Sequence, residues 1–224
     1  MFKNHPKGLV IAFFSNMGER FGFYTMMAIL VLFLQAKFGL SAESAGSIYS
    51  WFYFAIYALA LVGGIIADST KRYKLVVLLG LIVMLLGYAM MAIPGTTLAI
   101  AITGLMVIAL GNGLFKGNLQ AIVGQLYDDP KYEPLRDTGY LLFYMGINIG
   151  AFFAPFAATG MRNWFLKING FVHDASLPSM CHAYINGQSL DVDKFHALAN
   201  SVSSAPVTDL SAFRYPGPLP QTKE

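Results

Sequence analysis

Three ionisable side chains, Glu19, Arg20 and Lys116, lie inside otherwise apolar stretches of the sequence. A carboxylate beside a cation stays ionised until the cation leaves, and a guanidinium can bind a carboxylate through two hydrogen bonds. A charge at the centre of a membrane helix costs about 2.5–3.5 kcal/mol, so it usually faces a partner or a water-filled path. A salt bridge that only fixes helix packing needs two charges. Three charged residues on two apolar stretches exceed that need and favour a ligand site. We expect Glu19 to pair with Lys116, which leaves Arg20 for a ligand.

Polar side chains also follow one face of the first apolar stretch. Residues that recur every three or four positions share a helix face, as do Asn16, Arg20, Tyr24 and Met27. In the fifth apolar stretch, Tyr144 and Asn148 are four positions apart. A lipid-facing stripe would be apolar, so the pattern in the first stretch predicts the lining of a cavity. Buried amide and phenol groups need partners, and for Tyr144 and Asn148 a ligand is one of several possible partners.

Composition shows what kind of element must carry these residues. Of the 224 residues, 56% are hydrophobic and 12% are charged, whereas soluble domains carry about 25% charged residues. A bilayer core about 30 Å thick needs about 20 mostly apolar helical residues. Five stretches qualify, at about 8–36, 47–67, 75–93, 98–126 and 138–158. The sequence predicts an all-α polytopic membrane protein, with the lipid bilayer as a partner.

Loop charges predict the orientation of these spans. Basic residues cluster near the membrane on one side: Lys3, Lys7, Lys71, Arg72, Lys74, Lys131 and Arg136. The opposite short loops, 37–46 and 94–97, contain only Lys37. Because an excess of Lys and Arg marks the cytoplasmic side, we expect a multi-pass protein of the cytoplasmic membrane with its N-terminus inside. The net charge of +3 is small and unevenly spread, and nucleic acid is not an expected partner.

The segment 161–224 contains no apolar run of spanning length. With five spans it would lie outside the cell, as a partly irregular extracytoplasmic loop or tail that closes with a proline-rich run at 216–220. Its candidate metal ligands are His173, Cys181, His182 and His196, and their spacing is not that of a tight metal site. We expect surface residues there and no metal. The single cysteine excludes an internal disulfide.

Four motifs, in order along the chain, resemble those of the proton-dependent oligopeptide transporters, a branch of the major facilitator superfamily. Glu19-Arg20-Phe21-Gly22-Phe23-Tyr24 is similar to the E-x-x-E-R-F-x-Y-Y signature of the first helix. Gly64-Ile65-Ile66-Ala67-Asp68, with Lys71 and Arg72, resembles the superfamily's loop between the second and third helices. Phe115-Lys116-Gly117-Asn118 and the run from Phe143 to Ala151 resemble blocks of the fourth and fifth helices. The resemblance covers about residues 10–158.

The resemblance implies a fold and a set of roles. The fold would comprise five helices of the N-terminal six-helix bundle of a major facilitator transporter. Residues implied to line a peptide site are Arg20, Tyr24, Tyr57, Lys116, Tyr144 and Asn148. Proton coupling is implied for Glu19 and Lys116, and a gating or structural role for Asp68, Arg72, Gly146 and Gly150.

The chain departs from the family's pattern at several of these positions. Asn16 stands where the signature has its first glutamate, so one titrating group is missing. Phe23 replaces a tyrosine, Met27 stands where many bacterial members have a cation, and Gly117 replaces a proline. We therefore expect coupling to rely on Glu19 and on carboxylates beyond these five spans.

Transporters of this superfamily have twelve core spans in two bundles, with substrate between the bundles. This sequence supplies spans one to five within 1–160, followed by the segment 161–224, and lacks the sixth helix and the C-terminal bundle. We expect an incomplete sequence. A second polypeptide that supplies the rest is the alternative.

The leading functional hypothesis is proton-coupled symport of di- and tripeptides into a bacterial cell, driven by the proton gradient without a cofactor. One alternative is a transporter of another solute, such as nitrate or a drug-like compound, on the same scaffold. Another is a non-transporting membrane interaction protein. An enzyme is not expected, since no histidine lies in any span and no Ser-His or paired-carboxylate arrangement appears there.

Overall fold

Five long helices account for most of the chain. The computed structural model describes residues 2–208 and 210. Within them, five helices have the length and apolar composition to cross a bilayer. Their bounds are α1 Lys7–Phe38, α2 Ala42–Thr70, α3 Tyr73–Ala92, α4 Leu98–Gln125 and α5 Arg136–Ile168. The predicted all-α polytopic architecture with five spans is confirmed.

Helices α1, α2 and α5 extend at both ends beyond the apolar stretches that predicted them. The largest difference is at the end of α5, which continues to Ile168, ten residues past the predicted limit of 158. Hydropathy marks the part of a helix that lipid can surround, whereas backbone hydrogen bonds continue into water. Helix α1 ends where Gly39 adopts a φ of 66° and its N–H donates to the carbonyl of Gln35 (3.0 Å). A left-handed glycine of this kind is a common helix stop.

The chain forms two compact units. The first contains residues up to Phe23 and Ser47–Phe152, and so holds the beginning of α1, most of α2, all of α3 and α4, and half of α5. The second contains Tyr24–Gly46 and the described residues from Phe153 onward.

Glycines bring the helices of the first unit close together. A Cβ atom at Gly111 of α4 would lie 2.6 Å from the carbonyl oxygen of Gly80 in α3, and one at Gly63 of α2 would overlap the carbonyl oxygen of Gly113. In lipid, small residues at such crossings let two backbones approach and gain van der Waals contact. Helix α4 therefore packs closely against both α2 and α3.

Helix α5 packs on α1 in the same way. A Cβ at Gly150 would lie 2.5 Å from the carbonyl oxygen of Met17, and one at Gly146 would lie 3.1 Å from the Phe13 side chain. These two glycines, at GxxxG spacing, thus lie at a helix crossing, where a side chain at Gly150 would have to displace the backbone of α1.

The second unit contains two short helices after α5, α6 Leu177–Ile185 and α7 Val192–Val202. They share a small apolar core in which Cys181, Phe195 and Ala199 are buried. The His182 side chain lies against the end of α1, with Nε2 3.0 Å from the carbonyl oxygen of Ala36. Helix α6 therefore lies at the C-terminal end of α1. The proline-rich run at 216–220 lies outside the described residues.

Two adjacent glycines of α2 offer a matched test of this packing. We expect Gly63→Ala to destabilise the folded chain by about 1–3 kcal/mol, because the added methyl collides with the α4 backbone. Gly64→Ala should be neutral or slightly stabilising, since nothing lies within 4 Å of a Cβ there. Thermal unfolding of the two purified variants in detergent measures both. Equal melting temperatures would contradict the packing described.

Candidate functional site

Polar side chains at membrane depth in the first unit fall into a buried group and an exposed group. The buried group is Asn16, Glu19, Arg20 and Asn112. The exposed group is Tyr57, Lys116, Gln120 and Tyr144. Sequence spacing predicted residues of both groups but did not separate them.

The centre of the buried group is an ion pair between adjacent residues of α1. Arg20 Nε lies 2.5 Å from Glu19 Oε2, and Arg20 Nη2 lies 2.7 Å from Glu19 Oε1. Both side chains are about 95% buried, with 6% and 5% of their surface exposed. Such a two-bond pair is the strong form of a carboxylate contact, and burial removes the screening that weakens surface pairs.

Asn112 of α4 completes this pair and was missed by the sequence reasoning. Its side-chain N–H donates to Glu19 Oε1 at 2.9 Å, and the residue is fully buried. The side-chain oxygen Oδ1 of Asn112 and the side-chain nitrogen Nδ2 of Asn16 have no hydrogen-bond partner. Asn112 lies four residues before Lys116, and this spacing on a helix was the available signal.

The structure corrects the predicted pairing of Glu19 with Lys116. Helices α1 and α4 do meet, as expected, but Glu19 reaches α4 at Asn112, one helical turn (about 6 Å) before Lys116. Its carboxylate is bound instead by the neighbouring Arg20, the residue that the predicted pairing had left for a ligand.

Lys116 belongs to the exposed group and lies against an aromatic ring. Its Nζ is 4.5 Å from the ring centroid of Tyr57, a cation–π contact between α4 and α2. Among the described residues, the carboxylates that form ion pairs within 4 Å of a cation are Glu19 and Asp128, and neither pairs with Lys116. The lysine thus presents a positive charge on an exposed face.

Two residues of the exposed face are joined by a hydrogen bond. Gln120 Nε2 donates to the hydroxyl of Tyr144 at 2.7 Å, which links α4 to α5. Gln120 follows Lys116 by one turn and was also missed. Asn148 is exposed one turn after Tyr144. Tyr24, predicted to share the face, is half-buried and belongs to the second unit.

Asn118, in the motif around Lys116, has a structural contact. Its buried side-chain N–H group donates to the carbonyl oxygens of Gly63 (3.0 Å) and Leu114 (2.8 Å). This amide links α4 to α2 two residues after Lys116 and so helps to position the lysine beside Tyr57.

The turn between α2 and α3 contains Asp68 and Arg72, two of the four residues implied to have a gating or structural role. The hydroxyl of Tyr73 donates to Asp68 Oδ1 at 2.6 Å. Lys71 has a φ of 57°, which sharply reverses the chain, and Arg72 precedes α3 with its side chain exposed. Asp68 thus fixes the short connection between the two helices.

The candidate metal ligands of the last segment do not converge in the part of the chain that the structure describes. Burial raises the pKa of Cys181 to about 11, so this thiol stays protonated at neutral pH. His182 is held by the carbonyl of Ala36.

Comparisons with known proteins identify relatives of the chain. Residues 74–179 match the model of the POT family. Dipeptide and tripeptide permease A from Cronobacter turicensis is 36% identical over 160 residues, which cover 71% of this chain and 32% of the permease. The chain thus spans about a third of the length of the curated relatives that it matches.

Solved structures give the same picture. A peptide transporter POT (E310Q mutant) in complex with alafosfalin is 38% identical, with a TM-score of 0.63. The match covers 70% of this chain and 33% of the chain of that transporter. A peptide transporter POT (E310Q mutant) in complex with sulfate is 30% identical, with a TM-score of 0.66. That match covers 90% of this chain and 44% of the chain of the transporter. The family resemblance and the major facilitator fold predicted from the motifs are confirmed.

Asn112 provides a test of the buried group. We expect Asn112→Leu to destabilise the chain by about 1–3 kcal/mol, because Glu19 loses a buried hydrogen-bond donor. Asn148→Leu, on the exposed face, should change stability by less than about 0.5 kcal/mol. Thermal unfolding in detergent compares the two variants, and an unchanged melting temperature for Asn112→Leu would contradict this role.

Proposed function

Because the chain belongs to the POT family, we propose that it is part of a proton-coupled symporter that brings di- and tripeptides into the cell. In this proposal the chain forms the part of the site that binds the peptide's C-terminal carboxylate. The observation that carries the proposal is Lys116, an exposed cation at membrane depth beside Tyr57, with its charge available to an anion.

The peptide carboxylate would bind first to Lys116. Tyr57, Gln120 and Tyr144 surround the lysine with an aromatic ring, an amide and a hydroxyl, groups that can hydrogen-bond or stack on a peptide backbone. Asn148 would extend this polar face by one turn.

Proton coupling would follow from competition for Arg20. The guanidinium is held by Glu19 through two hydrogen bonds, so it cannot bind a substrate carboxylate in the same way at the same time. Protonation of Glu19 would remove the negative charge that holds the Arg20 guanidinium. The guanidinium could then bind the carboxylate of the peptide. A proton and a peptide would therefore bind together, without a cofactor, and the proton gradient would drive uptake.

We also propose the topology. The N-terminus would be cytoplasmic, residues 1–160 would form the spans, and 161–224 would lie outside the cell. Two observations support this: the basic residues cluster in the loops predicted to be inside, and α6 contacts the C-terminal end of α1. Gating movements would involve the α2–α3 turn with Asp68 and Arg72 and the crossing at Gly146 and Gly150. The partners of the chain would be the bilayer and a C-terminal bundle.

Uptake assays test the substrate class. Cells that lack peptide uptake and express the complete reading frame containing this chain should accumulate labelled Ala-Ala when the outside is acidic. Lys116→Ala should lower uptake by about tenfold or more, the value of a charge-assisted hydrogen bond, while Lys131→Ala in the α4–α5 loop should not. Competition by nitrate or free amino acids, but not by dipeptides, would overturn the proposal.

Asn16 tests the coupling. Asn16→Glu would place a second titrating carboxylate one turn before Glu19 and Arg20, so we expect the pH at which Ala-Ala uptake is half-maximal to shift. Asn16→Gln, equal in size but unable to titrate, is the control. If both variants kept the original pH profile, coupling would not depend on this cluster.

A further inference from the structure

Three tyrosines form a column along α2: Tyr49, Tyr53 and Tyr57. The rings of Tyr49 and Tyr53 lie 6.2 Å apart and within 6° of parallel, and those of Tyr53 and Tyr57 lie 5.3 Å apart. The hydroxyl oxygens of Tyr53 and Tyr57 are 3.4 Å apart. Since Lys116 lies over Tyr57, the tyrosine column continues directly from the site described above.

The depth of the tyrosine column is unusual for tyrosine. Membrane tyrosines commonly lie at the lipid headgroups, where the hydroxyl meets water. Tyr57 is the sixteenth of the 29 residues of α2 and is therefore near the middle of the span. Tyr53 and Tyr57 nevertheless have 42% and 51% of their surface exposed. The two hydroxyls contact each other, and half-exposed hydroxyl-bearing rings at this depth favour polar surroundings over lipid tails.

The tyrosine column also lies on a different face from the lipid-compatible surface of α2. That surface is an exposed apolar stripe, formed by Trp51, Phe54, Leu61 and Ile65. At 100° per residue, the centre of the column is about 110° from the centre of the stripe. The column lies instead toward the face that packs on α4 through Gly63.

We propose that the tyrosine column is a subsite for the side chains of the transported peptide, with a preference for aromatic side chains. The inference rests on the proposed function, in which Lys116 fixes the peptide's carboxylate beside Tyr57. From there the column extends eight residues, about 12 Å along the helix, and an extended tripeptide reaches about 10 Å. A side chain that precedes the carboxylate would therefore lie against Tyr53, and aromatic rings gain most from such contact.

Competition among dipeptides tests this subsite in cells expressing the complete reading frame. The measured quantity is the concentration of unlabelled Ala-Phe or Phe-Ala that halves the uptake of labelled Ala-Ala. Tyr53→Leu, which keeps bulk but removes the ring, should raise that concentration about fivefold for at least one of the two. Unlabelled Ala-Ala should stay within twofold. Tyr53→Phe, which keeps the ring, should preserve the preference.

Phe54→Leu is the matched control, since it removes a ring from the apolar stripe and should leave all competitors unchanged. An equal loss for Ala-Ala and the aromatic peptides in Tyr53→Leu would show that the column packs against the rest of the protein or against lipid, and would overturn the subsite. No change in Tyr53→Leu would overturn it too. A failure of the unaltered protein to take up any dipeptide would instead overturn the proposed function beneath it.

Discussion

The interaction on which the rest of the site depends is the buried pair of Glu19 and Arg20. Neither charge can reach bulk water, since each side chain is about 95% buried, and a lone charge at this depth would be strongly unfavourable. Each therefore depends on the other and on Asn112. Because Asn112 belongs to α4, the pair fixes the rotation and the height of α1 against α4, and with them the position of Lys116.

Such a contact needs helices that lie close together, and the glycines provide that closeness. Asn112 lies between Gly111 and Gly113, which approach the backbones of α3 and α2. With α4 held on both sides, its next turn presents Lys116 to Tyr57. The small residues around the lysine motif thus serve two purposes: they pack α4 into the bundle, and they aim one of its faces at α1 and another at α2.

The sequence predicted most of the fold but only part of the site. Five spans follow from hydropathy, because a bilayer imposes a length that any apolar helix must meet. Spacing correctly placed Glu19, Arg20 and Lys116 on helices that touch. It did not predict that Glu19 contacts Asn112 instead of Lys116. Periodicity shows which residues share a face of a helix, but it does not show where along their axes two helices cross. Asn112 and Gln120 were missed because neutral amides carry a weaker signal than charges.

The separation into a buried and an exposed group has a consequence for mechanism. A site built only from Lys116 and its neighbours would bind an anion whether or not a proton was present, and a site built only from Glu19 and Arg20 would be sealed from substrate. In the proposed function these two groups, one helical turn apart, would act on each other: an anion at Lys116 would draw Arg20 toward it, and Glu19 would resist until it is neutralised. Proton binding and substrate binding would therefore be coupled across one turn of α4, from Asn112 to Lys116.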